Sequence, residues 1–172
     1  SRRVVVRGSE CTGKTALTAS LAQYFDCPSS PEGARLYVEQ HNRPLTVDDV
    51  NPIASLQAEL EEVAIRKARG LVIHDTDLVS TLVYAHHYYG TSPAWITRTA
   101  SERAADLYLL CDIDLPWVSD GLQRDSGLAE QRRQIHEKFV EAMTRSGLRW
   151  TLIRGLGEKR LEQAVRAIKA LA

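Results

Sequence analysis

The sequence predicts an α/β domain with a mainly parallel five-stranded sheet and helices on both faces. Two observations predict it. Short apolar or β-branched runs alternate with longer stretches of helical periodicity, the pattern of βαβ units. The first run, residues 3–7, leads directly into Gly8-Ser9-Glu10-Cys11-Thr12-Gly13-Lys14-Thr15, a glycine-bounded loop of the form G-x-x-x-x-G-K-[ST], and a helical stretch follows it. The length of 172 residues, with 44% hydrophobic and 26% charged side chains, fits one domain over residues 1–172 with a sizeable core.

The loop comes first because its spacing carries chemistry. Gly8 and Gly13 permit backbone angles and close approach that a Cβ forbids. The intervening N–H groups of Ser9, Glu10, Cys11 and Thr12 can then ring a phosphate, with the positive end of the helix that begins near Lys14, Thr15 and Ala16 behind it. Lys14 reaches β- and γ-phosphates, and the Thr15 hydroxyl suits a Mg²⁺ ion. The expectation is binding of a nucleoside triphosphate, ATP, together with Mg²⁺.

Composition narrows the remaining classes. Twenty-two basic and 22 acidic residues give zero net charge, so no whole-molecule field draws nucleic acid. No basic excess and no helix-turn-helix pattern supports a DNA-binding role. Cys11, Cys27 and Cys111 form no C-x-x-C pair, which suits a reducing cytoplasm. No apolar run is long enough to span a bilayer and no signal peptide is evident, so no membrane role is expected. The sequence is compatible with a homo-oligomer and leaves open a fused domain upstream of Ser1.

The elements follow in order. After the first helix, prolines 28 and 31 break helix and favour a very short strand or loop. A helix then starts near Pro31 and runs through residues 33–39. Residues 41–51 are polar, and Asp48-Asp49 read as a helix-start acidic pair or a solvated loop. Over residues 52–69, Ile53, Leu56, Leu60, Val63, Ala64 and Ala68 recur on one helical face, and Gly70 ends the helix. Residues 71–74 read as a buried strand that delivers Asp75-Thr76-Asp77 to its carboxyl end, the edge where ligands gather in open α/β sheets. Asp75 suits a second Mg²⁺-handling position there. Asp77 either shares in the chemistry or caps the helix over residues 78–89. Adjacent His86 and His87 face different directions on that helix and are read as surface or partly packed groups, not ligands. A short helix over residues 94–105 carries Trp95, whose plain reading is packing. A strand over residues 106–111, a glycine-punctuated polar stretch, a helix over residues 128–146 burying Ile135, Phe139 and Met143, a strand over residues 150–153 and a final helix striped by Leu161, Ala164, Val165, Ile168 and Leu171 complete the chain. The stretch 118–134, with Arg124 and Arg132, reads as a small lid that closes over phosphates and supplies arginines.

Four stretches together resemble one family. They are the phosphate loop; Asp75-Thr76-Asp77 followed by Thr81, Tyr84, Tyr88 and Gly90; Asp106 to Leu110 followed by Pro116-Trp117-Val118-Ser119-Asp120-Gly121-Leu122; and Glu32-Gly33-Ala34-Arg35-Leu36-Tyr37. The chain resembles the NadR-type ribosylnicotinamide kinase domains, within the P-loop nucleoside and nucleotide kinases. The P-W-V-x-D-G-L stretch is the most specific of the four. The resemblance implies a three-layer P-loop kinase fold and phosphoryl transfer from ATP to the 5′-hydroxyl of nicotinamide riboside. It implies a nucleoside pocket drawing on Glu32, Arg35, Tyr84, Trp117 and Asp120. Where the family has Arg directly after D-G-L, this chain has Gln123, and Arg124 follows. The larger regulator in the family carries DNA-binding and adenylyltransferase modules whose activities are not carried over.

The expected roles are therefore Lys14 on the donor phosphates, Thr15 and Asp75 on Mg²⁺, Asp75 or Asp77 on the acceptor proton, and Arg124 and Arg132 against the transferring group. Two rivals use the same sequence features: a kinase for another nucleoside or small hydroxyl compound, and a non-catalytic ATP or GTP switch.

Overall fold

The structure, a computed structural model, describes residues 1–115 and 126–171. Among the described residues, five strands, β1 (Arg2–Arg7), β2 (Ser29–Ser30), β3 (Leu71–Asp75), β4 (Leu107–Cys111) and β5 (Trp150–Ile153), form one sheet in the order β2-β3-β1-β4-β5. Every pairing is parallel. Seven helices among the described residues connect and cover them: α1 (Lys14–Phe25), α2 (Gly33–His41), α3 (Val50–Lys67), α4 (Leu78–Tyr89), α5 (Ala94–Glu102), α6 (Ser126–Ser146) and α7 (Glu158–Lys169), with a 3₁₀ turn at Val47–Asp49. The α/β architecture expected from the alternation is the one observed.

Strand alternation divides the core into layers. Val4 and Val6 of β1, with Leu107 and Leu109 of β4, face α1 and α7, where Leu17, Leu21, Ala164 and Ile168 bury against them. Val5, Tyr108 and Leu110 face the other way, onto Ile135, Phe139 and Met143 of α6. A third cluster joins α3, α4 and α5 through Ala54, Leu78 and Ile96. Both sheet faces are covered, so β1 and β4 are apolar at consecutive positions rather than alternating.

The chain departs from the sequence reading in two places, and decides between two readings in a third. The buried face of α3 carries Gln57 and Glu61 beside Val50, Ile53, Ala54 and Ala64, and Val63 is 36% exposed. Helical periodicity weighs apolar residues only, whereas this face is turned by polar partners: Arg3 on β1, the Gly33 N–H on α2 and the Thr76 carbonyl just after β3. Of the two readings for Asp48-Asp49, the helix-start one describes Asp49, which is buried at the start of α3: it accepts hydrogen bonds from the Tyr37 hydroxyl at 2.6 Å, from both Arg43 terminal nitrogens at 2.9 and 2.8 Å and from Thr46 N–H at 2.8 Å. These bonds, Arg43's first, hold its carboxyl well below the usual range. Finally, α5 ends at Glu102 rather than near residue 105, because the Ala105 N–H is drawn to the Tyr108 hydroxyl at 2.7 Å.

The sheet order places β1 between β3 and β4, where the chain reverses direction across the sheet. The loop leaving β1 therefore opens into the crevice at the carboxyl edge, flanked by the ends of β3 and β4.

Candidate active site

The loop between β1 and α1 is shaped by two glycines. A Cβ on Gly8 would lie 2.6 Å from Thr12 Oγ1 and 3.2 Å from Cys111 Cβ, so only glycine fits there. Gly13 adopts φ 75° as the residue capping α1, a left-handed conformation that glycine enters without steric cost. Thr12 Oγ1 donates to Ser9 O at 2.8 Å and closes the turn. From outside, two arginines hold consecutive loop carbonyls. Arg132 Nη2 donates to Cys11 O at 3.1 Å and to Leu115 O at 3.0 Å. Arg160 Nη1 donates to Thr12 O at 2.9 Å, while Nε reaches Gly155 O at 2.8 Å and Nη2 reaches Asp112 O at 3.0 Å and Asp114 Oδ1 at 2.5 Å. Turning these carbonyls outward leaves the loop's N–H side toward the crevice.

Asp75 ends β3, opposite Val6 in the β1 register. Its Oδ2 accepts from Thr15 Oγ1 at 2.7 Å, so the two expected Mg²⁺ residues meet. Burial, then the charge of Glu32, raises the Asp75 carboxyl above its ordinary value, against the Thr15 hydrogen bond and the charge of Lys14. Thr76 follows with φ 76°, a left-handed angle unusual for a β-branched residue. Lys14 Nζ lies 3.4 Å from Glu32 Oε2, which joins the loop to the start of α2.

Asp77 faces elsewhere. Its two carboxylate oxygens pair with Arg7, one at 3.0 Å from Nε and the other on Nη2, and Oδ1 also caps α4 at the Ser80 N–H. Arg7 is buried, stacked 4.0 Å from the Tyr108 ring centroid. Of the two readings for Asp77, the capping one describes its contacts.

A cavity of about 410 Å³ opens beside this cluster, within the range that holds a small ligand. Gly8, Glu10, Lys14 and Glu32 line its polar end. Tyr84, Tyr88, Tyr89, Val50, Ile53 and Ala85 form an aromatic and apolar wall, with Leu45 and Thr46 contributed by the loop that Asp49 fastens. Tyr84 and Tyr88 stack at 6.2 Å between centroids. Burial, then the charges of Glu10 and Glu32, raises the Tyr84 hydroxyl well above its ordinary value, so it stays protonated. Ser80 also borders the cavity, and its buried hydroxyl has no hydrogen-bond partner among the described residues.

The structure thus brings together Lys14, Thr15, Asp75, Glu32 and Tyr84, with Arg132 on the outer side of the loop. Arg35 is exposed on α2, outside the cavity lining. Trp117, Asp120, Arg124 and residues 118–125 of the expected lid lie outside the described residues. Sequence reading missed Gln57, Ser80, Arg7 and Arg160. Only Gln57 left a usable signal, a polar residue at a core-facing helical position. Among the described residues there is no cluster of three or more His, Cys, Asp or Glu suited to a metal, and no helix is long and apolar enough to cross a membrane.

Comparison with known proteins places these features in context. The family model described as the AAA domain matches residues 3–160. The trifunctional NAD biosynthesis/regulator protein NadR of Escherichia coli (strain K12) is 29% identical over 156 residues, covering 88% of this chain and 38% of that protein. The chain therefore spans well under half the length of this curated relative. A crystal structure of NadR protein in complex with NR superposes with a TM-score of 0.81 at 27% identity, over 99% of this chain and 51% of that one. A second, of NadR protein in complex with NAD and AMP-PNP, gives 0.81 at 26% identity, over 99% and 49%.

Proposed function

The chain belongs to the AAA domain family, and from that premise we propose that it transfers the terminal phosphoryl group of ATP to the 5′-hydroxyl of nicotinamide riboside, giving nicotinamide mononucleotide. One observation carries the reading. A single cavity runs from Lys14, at the phosphate loop, to a wall of stacked tyrosines. One end suits phosphates and the other a flat base. The likeness to NadR protein bound to NR and to AMP-PNP supports both occupants. The other activities of the trifunctional relatives are not part of the proposal.

The residues divide the work as follows. Loop N–H groups and Lys14 hold the donor phosphates, so Lys14 exchanges its contact with Glu32 for the β- and γ-oxygens. Glu32, freed from Lys14, and the unpaired Ser80 hydroxyl engage the nucleoside's hydroxyls, and Tyr84 carries its base. Arg132 neutralises charge near the loop. Thr15 and Asp75 fit Mg²⁺: both present hard oxygen atoms, 2.7 Å apart, and Asp75 is a buried carboxylate that a cation would keep ionised. When bound there, Mg²⁺ supplies charge neutralisation on the phosphates. Asp75 is the carboxylate assigned to the reaction; Asp77 is assigned to Arg7. Among the described residues Cys11, Cys27 and Cys111 form no disulfide, which suits a cytoplasmic setting.

ADP release with ATP, Mg²⁺ and a panel of nucleosides tests the reading. Nicotinamide riboside is expected to stimulate release, and Lys14→Ala to cut it by about 100-fold or more while the protein stays folded. Stimulation by a different nucleoside alone moves the acceptor. No stimulation by any nucleoside makes the protein a nucleotide switch.

A further inference from the structure

Gln57 sits on α3, 1% exposed, at the back of the cavity. Its Oε1 accepts from the N–H of Gly33 at 2.8 Å and its Nε2 donates to the carbonyl of Thr76 at 3.2 Å. Gly33 directly follows Glu32, and Thr76 directly follows Asp75. One buried amide therefore fastens the backbone behind both carboxylates that face Lys14. We infer that Gln57 is a positioning residue that sets the spacing between Glu32 and Asp75 across the phosphate loop, and so joins the acceptor side of the site to its metal side.

Two further observations carry this beyond simple packing. Thr76 holds a left-handed angle, a strained conformation for a non-glycine residue that persists only where several contacts fix it. Those contacts are its N–H on Val6 O at 2.9 Å, its hydroxyl on Asp75 Oδ1 at 3.3 Å and the Gln57 amide on its carbonyl. The other end of the strut is as tightly defined. A Cβ on Gly33 would lie 3.0 Å from the Gln57 backbone nitrogen and Cα and from Oε1, so α2 approaches α3 as closely as glycine allows. Groups that orient a metal-binding carboxylate from behind affect metal affinity and rate by about 10- to 100-fold.

The inference rests on the kinase reading, and the test separates the two. Gln57→Met removes the amide at similar length. Gly33→Ala keeps the amide and pushes α2 away from it, so the joint is still probed if the first variant does not fold. Each folded variant is compared with wild type for kcat and KM with nicotinamide riboside, and for AMP-PNP affinity by calorimetry with and without Mg²⁺. Both variants are expected to lose about tenfold or more in kcat and in the Mg²⁺-dependent gain in AMP-PNP affinity. Metal-free AMP-PNP affinity should stay within about threefold, because Gln57 does not touch the loop. If the folded variants keep the wild-type Mg²⁺ gain and kcat, with only the melting temperature lowered, Gln57 is a packing residue and the inference fails. If wild type phosphorylates no nucleoside, the kinase reading fails, and the Mg²⁺ gain in AMP-PNP binding still decides the inference.

Discussion

Asp75 and Asp77 are two residues apart, but their surroundings give them opposite work. Asp75 is buried beside Thr15 and near Glu32, and its folded pKa is raised. A raised carboxyl contributes stability that is complete below its unfolded value and lost as pH rises through the folded one, so ionising the buried Asp75 costs the fold stability. Asp75→Asn is accordingly expected to raise the melting temperature slightly while raising the Mg²⁺ concentration needed for half-maximal activity by about tenfold or more. Asp77→Asn should do the reverse. It strips a buried guanidinium of its partner, at about 3–5 kcal/mol, and leaves the Mg²⁺ requirement of the remaining folded protein unchanged. Denaturant melts and Mg²⁺ titrations of the two variants check both. The D-T-D run made the two carboxylates visible in the sequence. It could not distinguish them, because the deciding partner of Asp77 is Arg7, on a different strand and seventy residues away. Lys14 and Thr15 were legible for a different reason: the loop that presents them is one continuous stretch, Gly8 to Thr15, whose residue types and spacing stand in the sequence.

At the scale of elements, α3 shows where periodicity misleads. Its apolar stripe was readable, but its buried face also carries Gln57 and Glu61, which meet Arg3 of β1, Gly33 of α2, Thr76 just after β3 and Arg103 at the end of α5. Glu61 lies 3.1 Å from Arg3 and 3.8 Å from Arg103, and Arg3 also donates to His74 at 3.2 Å. Burial, then the charge of Asp77, pushes Glu61 up to about 7 from 4.5, against the pull of both arginines. Its contribution to stability is thus complete below pH 4.5 and lost as pH rises through about 7. His74 works in the other direction. Burial takes it down to about 3 from 6.5, so its contribution is complete above pH 6.5 and lost as pH falls. Glu61→Gln keeps His74 and removes the acid. The stability of wild type relative to this variant should therefore fall by up to about 3 kcal/mol between pH 5 and pH 8. Parallel denaturant melts across that range measure it, and a constant difference would show that the arginines hold Glu61 ionised throughout.

For the whole molecule, a short motif and a sheet order do most of the placing. The P-loop leaves β1 where the strand order reverses, so Asp75 at the end of β3 and Glu32 at the start of α2 meet Lys14 without sharing a segment of chain. The alternation of strands and helices was enough to forecast that edge, since parallel strands put all their carboxyl ends on one side. The 410 Å³ cavity was not legible, because its walls come from the phosphate loop, α2, the Asp49-fastened loop, α3 and α4 together. The claim that unites these scales is that the space between Lys14 and the tyrosines is where a phosphoryl group changes hands. It is tested most directly by incubating the protein with ATP labelled in its γ-phosphate, Mg²⁺ and nicotinamide riboside, and following the label. Label in nicotinamide mononucleotide, appearing with wild type and not with Lys14→Ala, is the predicted result. Label found only in inorganic phosphate or left in ATP would contradict it.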